Sequence, residues 1–149
     1  MKVWIDGRIV PASRAAVSAL DPAVQYGLGV FEVMRAYDGV PFLLDRHLVR
    51  MRRSARKFKS LFKFSNVTLK RGVIALLRAN HLRDAYVRLV LTGGGTFMIQ
   101  TDRLPAIPPS WYRQGAAVEF APWRRDPRAP LYGHKTLNYL ENVLTRERA

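Results

Sequence analysis

The chain has 149 residues, 48% of them hydrophobic and 24% charged, which is enough to bury the core of a globular domain. It contains no cysteine, which excludes disulfides and thiolate metal sites. The net charge is +14, so the surface attracts anions and nucleic-acid binding has to be weighed. Because Asp6 interrupts the N-terminus and no apolar run could span a bilayer, we expect neither a signal peptide nor a membrane anchor and predict a cytoplasmic protein.

The N-terminal third of the chain predicts two β-hairpins. Residues 3–9 alternate between apolar and polar around an Asp6-Gly7 turn. Residues 30–37 are strand-like and are followed by an Asp38-Gly39 turn and a short apolar run over 40–44. Both patterns are typical of antiparallel strands joined by tight turns.

Two helices are predicted next. Asp45 is the expected N-cap of the first. Its apolar residues recur every three or four positions and form one buried stripe: Leu44, Leu48, Met51, Ala55 and Phe58. A second helix is predicted from about Val67 to Asn80.

The second half of the chain predicts fewer regular elements. In chain order they are a strand over 85–92 ended by three glycines, a proline-containing loop, a short strand over Ala116–Phe120, a polar proline-rich connection over 122–130, and a helix from Leu137 to the end. Hairpins with two grouped helices indicate an α+β fold with a largely antiparallel sheet.

Two basic side chains stand out as functional candidates. Lys135 lies between a loop broken by proline and glycine and an amphipathic stretch, where an amine is well placed to bond a carbonyl cofactor. The alternative for a single lysine is a solvated surface residue. Arg50 belongs to a helical stripe with Arg46, Arg53 and Lys57, and lies nearest the apolar face of that helix. The other three are expected to form a solvated face.

Three segments together resemble one enzyme family. They are Tyr-Gly-Leu-Gly-Val-Phe-Glu at 26–32, Leu-Asp-Arg-His-Leu-Val-Arg at 44–50, and residues 134–148 around Lys-Thr-Leu-Asn-Tyr-Leu-Glu-Asn. They are similar to the class IV (fold type IV) pyridoxal-phosphate-dependent aminotransferases. The resemblance implies an N-terminal α+β domain over 1–121, a connection over 122–132, the start of a cofactor domain over 133–149, and a homodimer.

The resemblance also implies roles for individual residues. Lys135 would bond pyridoxal 5'-phosphate and act as the general acid and base, and Arg50 would bind the cofactor phosphate through its planar fork. Tyr139 would hydrogen-bond the cofactor phenolate oxygen, and Tyr26 and Phe31 would line the substrate pocket. No metal is expected, because the three histidines are scattered along the chain.

Arg88 has two interpretations. As a charge in an apolar strand it needs a partner, and a neighbouring carboxylate is the one expected from the residues alone. In some branched-chain members of the family an arginine at a similar position lies near the substrate carboxylate. The D-amino-acid members place theirs in a Thr-Arg-Gly turn, which in this chain is Thr92-Gly93-Gly94.

The substrate class stays open among branched-chain amino acids, which we slightly prefer, D-amino acids and aminodeoxychorismate. The segment at 26–32 favours branched-chain enzymes. The sequence Lys-Thr-Leu-Asn at 135–138 is instead similar to the D-amino-acid aminotransferases and the aminodeoxychorismate lyases. In the family, a glutamate that pairs with the pyridinium nitrogen and a Gly-Ile-Thr-type turn follow the lysine helix, and neither lies within these 149 residues. We therefore expect a fragment with little transaminase activity alone.

Two hypotheses from other functional classes remain. One is a basic nucleic-acid-binding domain built on the helix of Arg46 to Lys63, although no recognised nucleic-acid module is present. The other is a non-catalytic relative that dimerises through the apolar face of its last helix.

Overall fold

The sheet is the frame of the fold. The computed structural model describes residues 1–60 and 62–148. Its six strands lie in the order β2-β1-β6-β5-β3-β4, and every neighbouring pair is antiparallel. In chain order the strands are β1 (Lys2–Ile5), β2 (Arg8–Pro11), β3 (Gly29–Tyr37), β4 (Val40–Pro41), β5 (Ala85–Thr92) and β6 (Phe97–Arg103). The predicted α+β class is confirmed, including both hairpins.

Five α-helices and one 3-10 turn complete the described part of the chain. The turn is Ala12–Arg14, and the helices are α1 (Pro22–Tyr26), α2 (Leu44–Lys57), α3 (Asn66–Ala79), α4 (Pro109–Gln114) and α5 (Leu140–Arg148). The two predicted central helices, α2 and α3, match within a residue or two. Among the described residues, no helix is long and apolar enough to cross a membrane.

Three local predictions are wrong. Asp45 does not cap α2: Leu43 precedes the helix in a left-handed conformation, and Asp45 lies in the first turn, where its carboxylate accepts from Lys70 Nζ at 2.6 Å. Residues 116–120 form no strand and pair with no other strand; Val118 and Phe120 are 90% and 95% exposed. The last helix begins at Leu140 rather than Leu137, and its predicted end, Ala149, lies outside the described residues.

The core lies between one face of the sheet and the helices α2 and α3. The predicted stripe of α2 supplies Leu44, Leu48, Met51 and Ala55, all buried, with Phe58 packed against the same cluster. Alternate residues of β3 point into this core, and the residues between them point to the opposite face. This alternation decides which β3 side chains meet α2 and which do not.

A buried carboxylate fastens the segment before β3. Asp21 caps α1 by accepting from the Ala23 amide, and it also accepts from the Thr92 hydroxyl at 2.6 Å and the Gly94 amide at 3.1 Å. Burial alone would raise the pKa of Asp21. The three hydrogen bonds together have the larger effect, so the pKa lies below its ordinary value. The turn after β5 is thereby tied to the segment that leads into β3.

Candidate active site

Residues 135–137 form a short extended segment along the free edge of β3. The Phe31 amide donates to the Lys135 carbonyl at 3.1 Å, and the Leu137 amide donates to the Gly29 carbonyl at 3.0 Å. The edge is open there because β4 pairs only with the last two residues of β3. This pairing fixes the backbone of Lys135, and hence the face toward which its side chain points.

The approach of this segment depends on two glycines. A Cβ on Gly29 would lie 2.5 Å from Leu137 Cδ1 and 2.7 Å from the Leu91 carbonyl oxygen, so a larger residue would force the Leu137 side chain or the neighbouring strand to shift. Gly27 has a φ of +67°, which favours glycine, and its carbonyl accepts from Asn138 Nδ2 at 3.0 Å. The Tyr-Gly-Leu-Gly sequence therefore forms the seat for residues 135–138.

The Lys135 side chain lies over an aromatic ring on the sheet face opposite α2. Its Nζ is 4.3 Å from the centroid of the buried Phe31 ring, and Arg88 Cζ is also 4.3 Å from that centroid. The Tyr139 ring meets Phe31 edge-on at 5.0 Å and lies 5.0 Å from Lys135 Nζ. Two cations thus share one ring, and within the described residues neither has a carboxylate within ion-pair distance.

The ion pair expected for Arg88 from the residues alone is therefore not formed. Its cross-strand neighbours are Val33 on β3 and Gln100 on β6, and neither is acidic. The guanidinium rests on the Phe31 ring instead, which stabilises it by a cation–π contact.

Arg50 lies on the other face of the same strand. Its Nε and Nη2 donate to Glu32 Oε1 and Oε2, each at 2.5 Å, and His47 Nδ1 lies 2.9 Å from Oε2. These hydrogen bonds raise the pKa of Arg50, against a smaller opposing effect of burial. Because Glu32 directly follows Phe31, two adjacent residues of β3 contact the two basic side chains predicted to bind a cofactor.

Two predicted residues remain: Tyr139 lies near this strand edge, and Tyr26 lies away from it. Tyr139 borders an open cleft of about 410 Å³ between residues 124–132 and the start of α5, lined also by Arg125, Tyr132 and Asn142. Tyr26, at the end of α1, is 74% exposed and makes none of the ring contacts around Phe31. The structure thus brings together Lys135, Phe31, Tyr139 and Arg88, but not Tyr26.

A family model decides where the chain belongs. The model of amino-transferase class IV matches residues 29–149, which include β3, α2 and Lys135. The chain belongs to this family. A putative branched-chain-amino-acid aminotransferase of Methanocaldococcus jannaschii is 36% identical, over all of this chain and 56% of that protein. A D-alanine aminotransferase of Bacillus licheniformis is 38% identical over 63% of this chain and 33% of its own length.

Solved structures of two aminotransferases and of a lyase are similar to this fold. The Escherichia coli branched-chain amino acid aminotransferase is 26% identical with a TM-score of 0.86, over 99% of this chain and 55% of that one. For 4-amino-4-deoxychorismate lyase of Pseudomonas aeruginosa the identity is 28% and the TM-score 0.76, over 99% and 56%. A branched-chain amino acid aminotransferase solved with pyridoxamine 5'-phosphate is 27% identical with a TM-score of 0.64, over 69% and 40%. The chain spans about half the length of these aminotransferases.

Sequence reasoning missed two members of this site. Glu32 accepts from Arg50 and contacts His47, yet neither Glu32 nor His47 was singled out. The available signal was a charge within the apolar run Val-Phe-Glu-Val-Met, since a buried carboxylate requires a partner. The neighbouring helix offers His47 and Arg50 three residues apart, on one face.

Proposed function

We propose that this class IV family member takes part in pyridoxal 5'-phosphate-dependent transfer of an amino group between an amino acid and a 2-oxo acid. One observation carries the proposal: the Lys135 amine lies over the buried Phe31 ring, with no carboxylate bound to it among the described residues. An amine that no carboxylate holds can approach an aldehyde and attack its carbonyl carbon once the amine has lost its proton.

The described residues supply the side-chain chemistry that the cofactor requires, from the two faces of β3 beside its open edge. Lys135 supplies the amine, and Arg50 supplies a guanidinium with one edge still free for a phosphate. Tyr139 contacts both Phe31 and the Lys135 amine, so its hydroxyl is the one we assign to the cofactor phenolate oxygen. When bound, pyridoxal phosphate supplies an electron sink for charge that develops on the substrate α-carbon. Lys135 Nζ would then hold and return the proton of that carbon.

Arg88 is the residue we assign to the substrate carboxylate. It lies on the same ring as Lys135, which brings a fixed positive charge close to that amine, and no acidic residue of the described part of the chain forms an ion pair with it. Phe31 beneath both supplies an apolar wall. A carboxylate on Arg88 and an apolar side chain beside Phe31 fit a branched-chain amino acid, which is the substrate class we favour. D-amino acids and aminodeoxychorismate are the alternatives.

The assignment of Lys135 is tested by covalent trapping. The intact protein is incubated with pyridoxal phosphate, reduced with borohydride, digested and analysed by mass spectrometry. We expect a pyridoxyl adduct on the peptide that contains Lys135 and its loss in Lys135→Ala. Lys70→Ala, which removes an exposed lysine paired with Asp45, is the matched control and keeps the adduct. An adduct that survives in Lys135→Ala would overturn the proposal.

The substrate class is tested by single-turnover spectra. With the loaded protein, L-leucine should change the cofactor absorbance, and Arg88→Met should weaken the apparent affinity for L-leucine more than for an amine without a carboxylate. A response to D-alanine alone would move the assignment to the D-amino-acid group. Release of pyruvate from aminodeoxychorismate would move it to the lyases.

Assembly and organisation belong to the same proposal. Leu140 and Leu144 of α5 present exposed apolar side chains, which supports a homodimer, and sedimentation of the intact protein tests it. The division into 1–121, 122–132 and 133–149 and the cytoplasmic location remain predictions. Limited proteolysis that cuts within 122–132 would support the division.

A further inference from the structure

Glu32 is a fully buried carboxylate that the proposed chemistry does not use. It lies in β3 between Phe31 and Val33 and points toward α2. A buried charge is costly unless it is paired and hydrogen-bonded. All of its hydrogen-bond partners given by the structure come from one turn of α2, His47 and Arg50.

The contact with Arg50 is two-pronged and therefore directional. Glu32 Oε1 accepts from Nε, and Oε2 accepts from Nη2, so the carboxylate occupies one edge of the guanidinium plane. Nη1 and the second Nη2 hydrogen remain on the opposite side. The Glu32 side chain is 1% exposed and that of Arg50 is 48% exposed, so a ligand can reach part of the Arg50 side chain but not the carboxylate that holds it.

His47 adds a third hydrogen bond to the same carboxylate. An ionised carboxylate only accepts, so the contact of 2.9 Å requires the hydrogen of His47 to lie on Nδ1. The 3.5 Å contact between that nitrogen and Arg50 Nη2 is then not a hydrogen bond, since both groups are donors. His47 thus fixes the carboxylate, and the carboxylate fixes Arg50.

We propose that Glu32, with His47, is a positioning residue that presents the free edge of Arg50 to the cofactor phosphate. The proposal rests on the phosphate role given to Arg50 above. An unrestrained arginine loses side-chain entropy when it binds a ligand, whereas a guanidinium already held in one orientation loses less. Because Glu32 neutralises part of the charge of Arg50, the benefit lies in direction rather than in net charge.

The test compares two ligands that differ only in the phosphate. In Glu32→Gln, the amide keeps one acceptor but places an NH2 group against the Arg50 and His47 donors. We expect the dissociation constant of pyridoxal phosphate to rise about tenfold, while that of pyridoxal, which lacks the phosphate, stays unchanged. Asp45→Asn, which removes an exposed carboxylate from the same helix, is the control and changes neither.

A double-mutant cycle separates positioning from a general structural effect. Arg50→Lys keeps a positive charge beside Glu32 and should also weaken pyridoxal phosphate selectively. If Glu32 acts through Arg50, Glu32→Gln adds little further loss in the Arg50→Lys background. Equal weakening of both ligands, or full additivity of the two changes, would overturn the positioning role.

The same data distinguish failure of this inference from failure of the proposed function. If Arg50→Lys leaves the preference for the phosphorylated ligand intact, the phosphate role of Arg50 is wrong, and the role of Glu32 falls with it. If Arg50→Lys reduces that preference but Glu32→Gln does not, only the role of Glu32 is wrong.

Discussion

Replacing Phe31 with leucine should measure how strongly the aromatic ring holds the lysine segment. Leucine preserves an apolar side chain in β3 but removes the ring that Arg88, Lys135 and Tyr139 contact. Each cation–π contact is worth about 0.5–1 kcal/mol, and the edge-on pair with Tyr139 about 0.5–1.5 kcal/mol. With the volume lost from a buried site, the free energy of unfolding should fall by about 2–4 kcal/mol.

The assay is equilibrium unfolding in urea followed by circular dichroism, with Phe42→Leu as the matched control. Phe42 is 55% exposed and makes an edge-on contact with Tyr37 at 6.2 Å between ring centroids, without a cation over the ring. Its replacement should cost less than about 1 kcal/mol. If the two variants lose equal stability within about 0.5 kcal/mol, the argument from the shared ring fails.

Three further changes test other contacts. Gly29→Ala places a Cβ 2.5 Å from Leu137 Cδ1 and 2.7 Å from the backbone oxygen of Leu91, which cannot move freely. Urea unfolding should show a loss of about 1–3 kcal/mol, and an unchanged midpoint would contradict the close approach. Because the folded pKa of Asp21 is lowered, its stabilisation is present above about pH 4 and is lost as the pH falls through that folded pKa. Thermal unfolding should therefore show Asp21→Asn destabilised at about pH 7, with a gap to the parent that narrows below about pH 4; a constant gap would refute this. Ser65→Ala removes the N-cap of α3 and should cost about 1 kcal/mol in urea, whereas Ser65→Asp should not.

The elements with strong local patterns could be predicted from the sequence. The apolar stripe of α2 and the turns at Asp6-Gly7 and Asp38-Gly39 each carry their information within a few residues. Strand β6 was missed although Phe97 and Ile99 alternate with less buried residues, because the last four of its seven residues are polar. The opposite error occurred at 116–120, where β-propensity is present but the pairing partner is not.

The site was less accessible to sequence reasoning because its contacts are long-range. The resemblance singled out Lys135 and Arg50, but local patterns do not reveal that residues 135–137 pair with the start of β3, more than a hundred positions away. Arg88 shows the same limit. An ion pair was expected because the charge lies within an apolar strand, whereas the fold placed Val33 and Gln100 beside it and an aromatic ring beneath it.

The short pairing of residues 135–137 with β3 also affects how readily the protein aggregates. If this segment detaches, the amide of Phe31 and the carbonyl of Gly29 become unpaired groups on a sheet edge, next to the apolar side chains Val30 and Phe31. Such an edge is a template for strands of other molecules. Substitutions that loosen residues 135–137 should therefore promote aggregation before global unfolding, because the pairing that fixes the Lys135 backbone also covers this part of the sheet edge.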